Sequence, residues 1–229
     1  MIQRSIDIGI SELKAKIIGM AGYLEEAVKD STLAWRNRSR EMIDRVNQIE
    51  ERVNREHVEV DAACLKLLAT QQPLATDLRF ILSVVKINTD IERMADQAVN
   101  IARNTEYYLK HPAFSDLNDL VSMSDRVRLS VRQAIDSFLN EDVQLARAVM
   151  EADDKVDELK DKVFHDVLAH MKKTPEDIEQ GLNVILIARN LERIGDHATN
   201  IAEDVIFTVS GKDIRHTQMR KKGTEIDEK

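Results

Sequence analysis

The sequence predicts an all-α protein of six long helices, arranged as two tandem three-helix bundles related by internal duplication. Three observations carry that expectation. Gly and Pro number only 7 and 3 in 229 residues, below the roughly 12% of average sequences, and no Gly lies between Gly22 and Gly181. A β-rich chain needs turn residues far more often than that. Apolar residues recur at the 3.6-residue period of an amphipathic helix, and the second half repeats the first.

The elements follow from the apolar period and the three prolines. Ile6, Ile10, Leu13, Ile17, Met20, Leu24 and Val28 place a first helix over about 6–34. Ile43, Val46, Ile49, Val53, Val60, Cys64 and Leu67 line one face of a second, over about 39–71, which Pro73 ends. A third begins near Asp77 and runs to about 109, before His111-Pro112 opens the longest non-helical stretch. Leu120, Met123, Val127, Val131, Ile135 and Phe138 give a fourth over about 117–139, and a fifth covers about 141–172. Thr174-Pro175-Glu176-Asp177 reads as a helix start, with Thr174 as cap, Pro175 in the first helical position and acids in the first turn. The sixth helix then runs to about Ser210, where Gly211 supplies a left-handed end. The expected units are 1–112, 113–211 and a polar tail, 212–229.

Composition removes several function classes. A net charge of -8 disfavours nonspecific nucleic-acid binding, which needs a basic stripe to displace counterions. Cys64 stands alone, so there is no disulfide framework. Asp7, Glu12, Lys14 and Lys16 interrupt the apolar residues of the N-terminal segment, which reads as neither a leader nor a membrane span. The expected location is the cytoplasm. No GxGxxG, GxxxxGK[ST] or GxSxG occurs, and nothing indicates an enzyme.

The repeat appears at a shift of 100. IERMADQAVNIA (91–102) and LERIGDHATNIA (191–202) share Glu92/Glu192, Arg93/Arg193, Asp96/Asp196, Ala98/Ala198, Asn100/Asn200, Ile101/Ile201 and Ala102/Ala202, which is 7 of 12 positions. The preceding helices correspond with Val53 over Val156, placing Glu50 over Asp153 and Asn54 over Asp157.

Residues four apart on a helix lie about 40° from each other and one turn along, so Glu92, Asp96 and Asn100 form a column of oxygen donors, repeated as Glu192, Asp196 and Asn200. Like charges at that spacing repel by roughly 0.2–0.5 kcal/mol even when exposed. Two readings account for carrying the column twice. In one the acids pair with Arg93, Arg193, Arg52 or Lys155. In the other they hold a cation, with Glu50, Asn54 and Asp61 completing the first set and Asp153, Asp157 and Asp161 the second. Hard oxygen donors without Cys or a consistently placed His disfavour zinc and suit magnesium, manganese, calcium or iron. His197 is matched by Gln97 and reads as a surface residue. No His has Glu three positions before it, which excludes the Glu-x-x-His di-iron pattern. Cys64 reads as core, and Trp35 with Arg36, Arg38 and Arg40 as an interhelical corner.

ATQQPLATDLRFILSVVKINTDIERMADQAVNIAR, its echo LIARNLERIGDHATNIAEDVIF and the closing GKDIRH resemble the PhoU family of phosphate-transport regulators over about residues 8–216. The first copy reads ERMAD where the family usually has ERIGD, so Ala95 replaces a Gly; Asn54 stands where the second half has Asp157. The resemblance implies paired three-helix bundles that commonly dimerise, and metal on the Glu/Asp-x-x-x-Asp motifs, as multinuclear iron clusters in some members. Carried over, the metal residues are Glu50, Glu92 and Asp96, then Asp153, Asp157, Glu192 and Asp196. It implies a non-enzymatic negative regulator of phosphate uptake and of the phosphate-starvation response. Its implied partners are the ATPase subunit of a phosphate ABC transporter and a sensor histidine kinase, so that it meets the membrane only through partners. A structural interaction module without metal, and a metal-dependent phosphohydrolase, are the alternatives.

Overall fold

In a computed structural model, which describes residues 4–112, 114, 117–212 and 214, the chain folds into α1 (Ser5–Arg36), α2 (Arg40–Gln71), α3 (Ala75–Tyr108), α4 (Asn118–Asn140), α5 (Val143–Lys173) and α6 (Ile178–Ser210). All the described secondary structure is helical. No described helix is long and apolar enough to cross a membrane. Apart from Lys212 and Ile214, the expected polar tail lies outside the described residues.

The periodic apolar residues become the core. Leu13, Ile17, Met20 and Leu24 of α1 are sealed from solvent, as are Val46, Val53, Val60 and Cys64 of α2. The repeat contributes the same positions twice: Ile87/Ile187, Ile91/Leu191, Met94/Ile194, Ala98/Ala198 and Ile101/Ile201 are all buried. Each large aliphatic side chain so removed from water is worth about 1.5–3 kcal/mol. α1, α2 and α3 pack on one another, as do α4, α5 and α6, and the two bundles meet chiefly where α3 lies along α6.

That seam is polar in part. Thr208 Oγ1 lies 2.6 Å from Ser83 Oγ, Lys86 Nζ donates to Asp204 Oδ1 at 2.7 Å, and Asp90 Oδ1 is 2.8 Å from His197 Nδ1. Numbers rise on α3 as they fall on α6, so the helices run antiparallel. With the repeat offset of 100, the two helices are related by a local two-fold.

The corners explain how so helical a chain turns with so few glycines. Arg38, Gln72 and Glu141 adopt left-handed backbone with φ of 54°, 43° and 55°. Arg38 is anchored there, because its Nη2 donates to the carbonyls of Leu109 (3.0 Å) and His111 (2.6 Å) and its guanidinium lies over the Tyr108 ring. Trp35 is buried beside this corner, as the sequence reading placed it. Gly211 ends α6 at φ 71°, with its N–H bonded to the Phe207 carbonyl. The start of α6 differs from expectation: Pro175–Asp177 form a 3-10 turn, and Thr174 contributes its carbonyl to the Asp177 N–H rather than a side-chain cap. A carboxylate caps α5 instead, where Asp142 accepts from the N–H groups of Gln144 and Leu145.

Candidate metal centres on the paired carboxylate helices

Each carboxylate helix pair is α2 with α3 or α5 with α6, and the apolar register decides where the acids fall. Val53 and Val156 point into the core, so Glu50 and Asp153, three residues earlier, flank it half-buried. Ile91 and Leu191 are likewise sealed, which holds Glu92 and Glu192 half-buried at the core's edge. One turn on, Asp96 and Asp196 are exposed to solvent. The columns therefore lean inward at the glutamates and outward at the aspartates.

In the first bundle Glu50 accepts a short hydrogen bond from Asn54. Burial raises the pKa of Glu92 above the usual carboxylate range, and Asp96 raises it further, while His57 and Arg93 oppose the change. Glu92 has no ion pair among the described residues. Asp61 is engaged otherwise: Asn88 Nδ2 donates to it at 2.9 Å and His57 Nε2 lies 3.4 Å away. His57 Nδ1 and Asn88 Oδ1 are buried without hydrogen-bond partners.

The second bundle is more crowded. Asp153 Oδ1 lies 3.4 Å from where a Cβ on Gly195 would stand, so α5 and α6 approach closely beside the acids. The Asp196 carboxyl keeps a solvent-facing side, yet enough protein surrounds it that desolvation raises its pKa, and Glu192 and Asp157 add to the rise. Lys160 sits among these groups, with Nζ 3.2 Å from Glu192 Oε1 and 3.6 Å from both Asp157 Oδ1 and Asp161 Oδ1. Partial burial works against its charge, but the hydrogen bond to Glu192 and the three carboxylates raise its pKa on balance.

The residues named from sequence are thus only partly brought together. Asn200 faces the seam, with Nδ2 3.5 Å from Asp90 Oδ1, and Asp61 is spent on Asn88 and His57. Of the basic partners expected for the acids, Lys155 pairs instead with Glu158 and Arg52 lies over the Tyr23 ring, whereas Arg93 does act on Glu92. His197, read as a surface residue, is half-buried in a bond to Asp90. Lys160 and His57 were missed because they occupy matched positions without being identical. The available signal was their spacing, three residues after Asp157 and Asn54.

Oxygen donors on adjacent helices, carboxyls whose pKa values are raised by burial and by neighbouring carboxylates, and the orphaned His57 Nδ1 fit a hard divalent or iron cation. As the side chains stand, no three His, Cys, Asp or Glu among the described residues are grouped closely enough to hold one. Binding therefore requires rotamer changes at Glu92, Glu50 and their counterparts.

The PhoU domain model matches twice, over residues 17–105 and 120–205. A phosphate-specific transport system accessory protein PhoU homolog of Pseudomonas putida is 32% identical over 98% of this chain and 88% of that one. The Aquifex aeolicus homolog is 32% identical over 93% of this chain and 97% of its own. A crystal structure of PhoU from Pseudomonas aeruginosa superposes with a TM-score of 0.88 at 31% identity, covering 91% of this chain and all of that one. The phosphate transport system regulatory protein PhoU from Streptococcus pneumoniae has a TM-score of 0.85 at 23% identity, which speaks to the fold alone.

Proposed function

The chain belongs to the PhoU family, and from that premise we propose that it is a non-enzymatic regulatory accessory protein of phosphate transport. The observation that carries the reading is the double match of the family model on two bundles, with homologues of that function related over nearly the whole chain. The finer assignment is negative regulation of phosphate uptake and of the starvation response at the cytoplasmic face. Its partners are the ATPase subunit of a phosphate ABC transporter and a sensor histidine kinase, and the regulator works as a homodimer. The support for these details is the family resemblance.

Metal binding belongs to the same proposal. Glu50, Glu92 and Asp96 would hold ions on the first bundle, and Asp153, Asp157, Glu192 and Asp196 on the second. A bound cation supplies positive charge that relieves the repulsion within each column. The carboxylates then fix α2 against α3 and α5 against α6. The ion-paired module without metal is favoured by one observation, the Lys160 contacts. Metal analysis of untagged protein decides between them: stoichiometric metal that is lost on Glu92→Ala with Glu192→Ala supports the metal sites, and its absence supports the ion-paired module.

Deleting the gene in its host tests the regulatory assignment. Phosphate uptake and a phosphate-starvation reporter are both expected to rise in phosphate-replete medium. Unchanged uptake and reporter would overturn it. Co-purification of the transporter ATPase subunit at high against low phosphate tests the partner directly.

A further inference from the structure

Under the offset of 103 that places Val53 over Val156, the position of His57 in α2 becomes Lys160 in α5. Both side chains lie beside the glutamate of the neighbouring repeat helix, but they do different things there. Lys160 Nζ spans carboxylates of both helices, at 3.2 Å from Glu192 and 3.6 Å from Asp157, and adds Asp161 at 3.6 Å. His57 reaches Asp61 at 3.4 Å and forms no ion pair with Glu92, which has none among the described residues.

We propose that Lys160 is a tethered counter-cation of the second carboxylate site, so that this site takes metal weakly and the first bundle loads before the second. The inference rests on the metal reading above and adds an inequality between the sites that the repeated motif does not reveal. Divalent ions draw carboxylate oxygens to roughly 2.0–2.6 Å. An ion drawn to Glu192 and Asp157 at such distances competes for these carboxylates with an ammonium 3.2 Å from Glu192 Oε1 and 3.6 Å from Asp157 Oδ1, and is repelled by it. Metal entry therefore weakens three charge contacts of Lys160, at Glu192, Asp157 and Asp161, and a like charge remains beside the ion on a four-carbon tether. In the first bundle no described cation stands within ion-pair distance of the glutamate: Arg93 and His57 act on Glu92 only from farther off, and the matched His57 turns to Asp61.

Ligand count alone favours the second site and net charge alone favours neither, so the inequality comes from the ammonium seated on the second set of carboxylates. Asn54 in place of an acid makes the first set the poorer in charge, whereas the lysine among the second set cancels that advantage.

Calorimetric titration of the full-length chain with Mn2+ tests the proposal. Glu92→Gln silences the first site, leaving the second to be read alone. In that background Lys160→Met is expected to raise Mn2+ affinity about tenfold or more. Lys160→Arg, which keeps the charge, should titrate like Glu92→Gln alone. Equal titrations of the Glu92→Gln protein and its Lys160→Met derivative would leave no role for the charge and overturn the inference. If neither the parent chain nor any Lys160 variant binds Mn2+, the metal reading fails and this inference falls with it. Lys160→Gln is titrated in parallel, so that a fold lost on Lys160→Met does not decide the result. Circular dichroism of each metal-free variant confirms that folded proteins are compared.

Discussion

Lys86 Nζ stands 2.7 Å from Asp204 Oδ1 across the seam between the bundles, and the Asp204 side chain is only 6% exposed. A carboxylate that buried is costly unless a cation accompanies it, so the pair fixes how α3 lies on α6.

Removing one partner should therefore cost more than removing both. Lys86→Met is expected to lower unfolding free energy by about 2–4 kcal/mol, because it takes the cation away from a nearly buried carboxylate. Asp204→Asn should cost less, and the double variant less than the sum of the two. Urea titrations of the four proteins give the coupling, and strict additivity would show that the pair is not coupled.

The raised carboxyls predict a pH signature. Glu92 and Asp196 ionise less readily folded than unfolded, from ordinary values of 4.5 and 3.8. Their relative contribution to stability is complete below those values and lost as pH rises through the folded ones. In chelator, Glu92→Gln with Asp196→Asn should therefore exceed the parent in melting temperature at pH 7, with the gap closing toward pH 4. Scanning calorimetry across that range is the measurement, and a gap that is constant with pH would contradict the assignment.

Gly195 is not required for the helix approach. A Cβ there would meet Asp153 Oδ1 at 3.4 Å and Val156 Cγ1 at 3.6 Å, close to ordinary contact, and the first repeat already carries Ala95, fully buried. Gly195→Ala should gain helix propensity and stabilise the protein by about 0.5–1 kcal/mol. At Gly181 the outcome differs. A Cβ would sit 2.6 Å from Met171 Sδ and 3.0 Å from Val167 Cγ1, so Gly181→Ala forces both neighbours to shift and gives up that gain. Thermal melts should rise for Gly195→Ala and show no such rise for Gly181→Ala.

Gln72 turns the chain between α2 and α3 at φ 43°, where a side chain is disfavoured. Gln72→Gly should stabilise by about 0.5–1 kcal/mol, and Gln72→Val should destabilise. Chemical denaturation of both reads the sign directly.

Burial pushes the Cys64 thiol up to about 12, with Asp61 adding to the effect. A disulfide reagent at pH 8 should leave the native protein unlabelled and modify one thiol after denaturation. Fast native labelling would place Cys64 elsewhere than in the core.

The helices were legible because Leu13, Val46, Ile91 and Leu191 sit in long, uninterrupted 3.6-residue patterns that packing did not override. Pro175 misled at one point, since its turn closed on the Thr174 carbonyl, and a cap reading cannot tell a 3-10 start from an α start. The carboxylate columns were legible as a repeat, but their environment was not. Which cation stands beside Glu192 depends on how α5 docks against α6, and Lys160 leaves no trace in a comparison that counts identities. The His197–Asp90 bond was equally hidden, because it joins one repeat to the other rather than recurring within each.

The two-fold relation of α3 and α6 has a consequence for misassembly between chains. Two identical helices could meet in the same antiparallel register, so a duplicated chain risks pairing like halves between molecules. The seam residues do not obey the duplication. Lys86 and Asp204 correspond to Leu186 and Asn104, and Asp90 and His197 to Asn190 and Gln97. An α3 facing another α3 would set Lys86 against Asn104 and Asp90 against Gln97; an α6 facing another α6 would set Asp204 against Leu186 and His197 against Asn190. Both contacts, Lys86 with Asp204 and Asp90 with His197, exist only between unlike halves, so the divergence of the two copies writes partner choice into the chain and disfavours pairing of like halves between molecules.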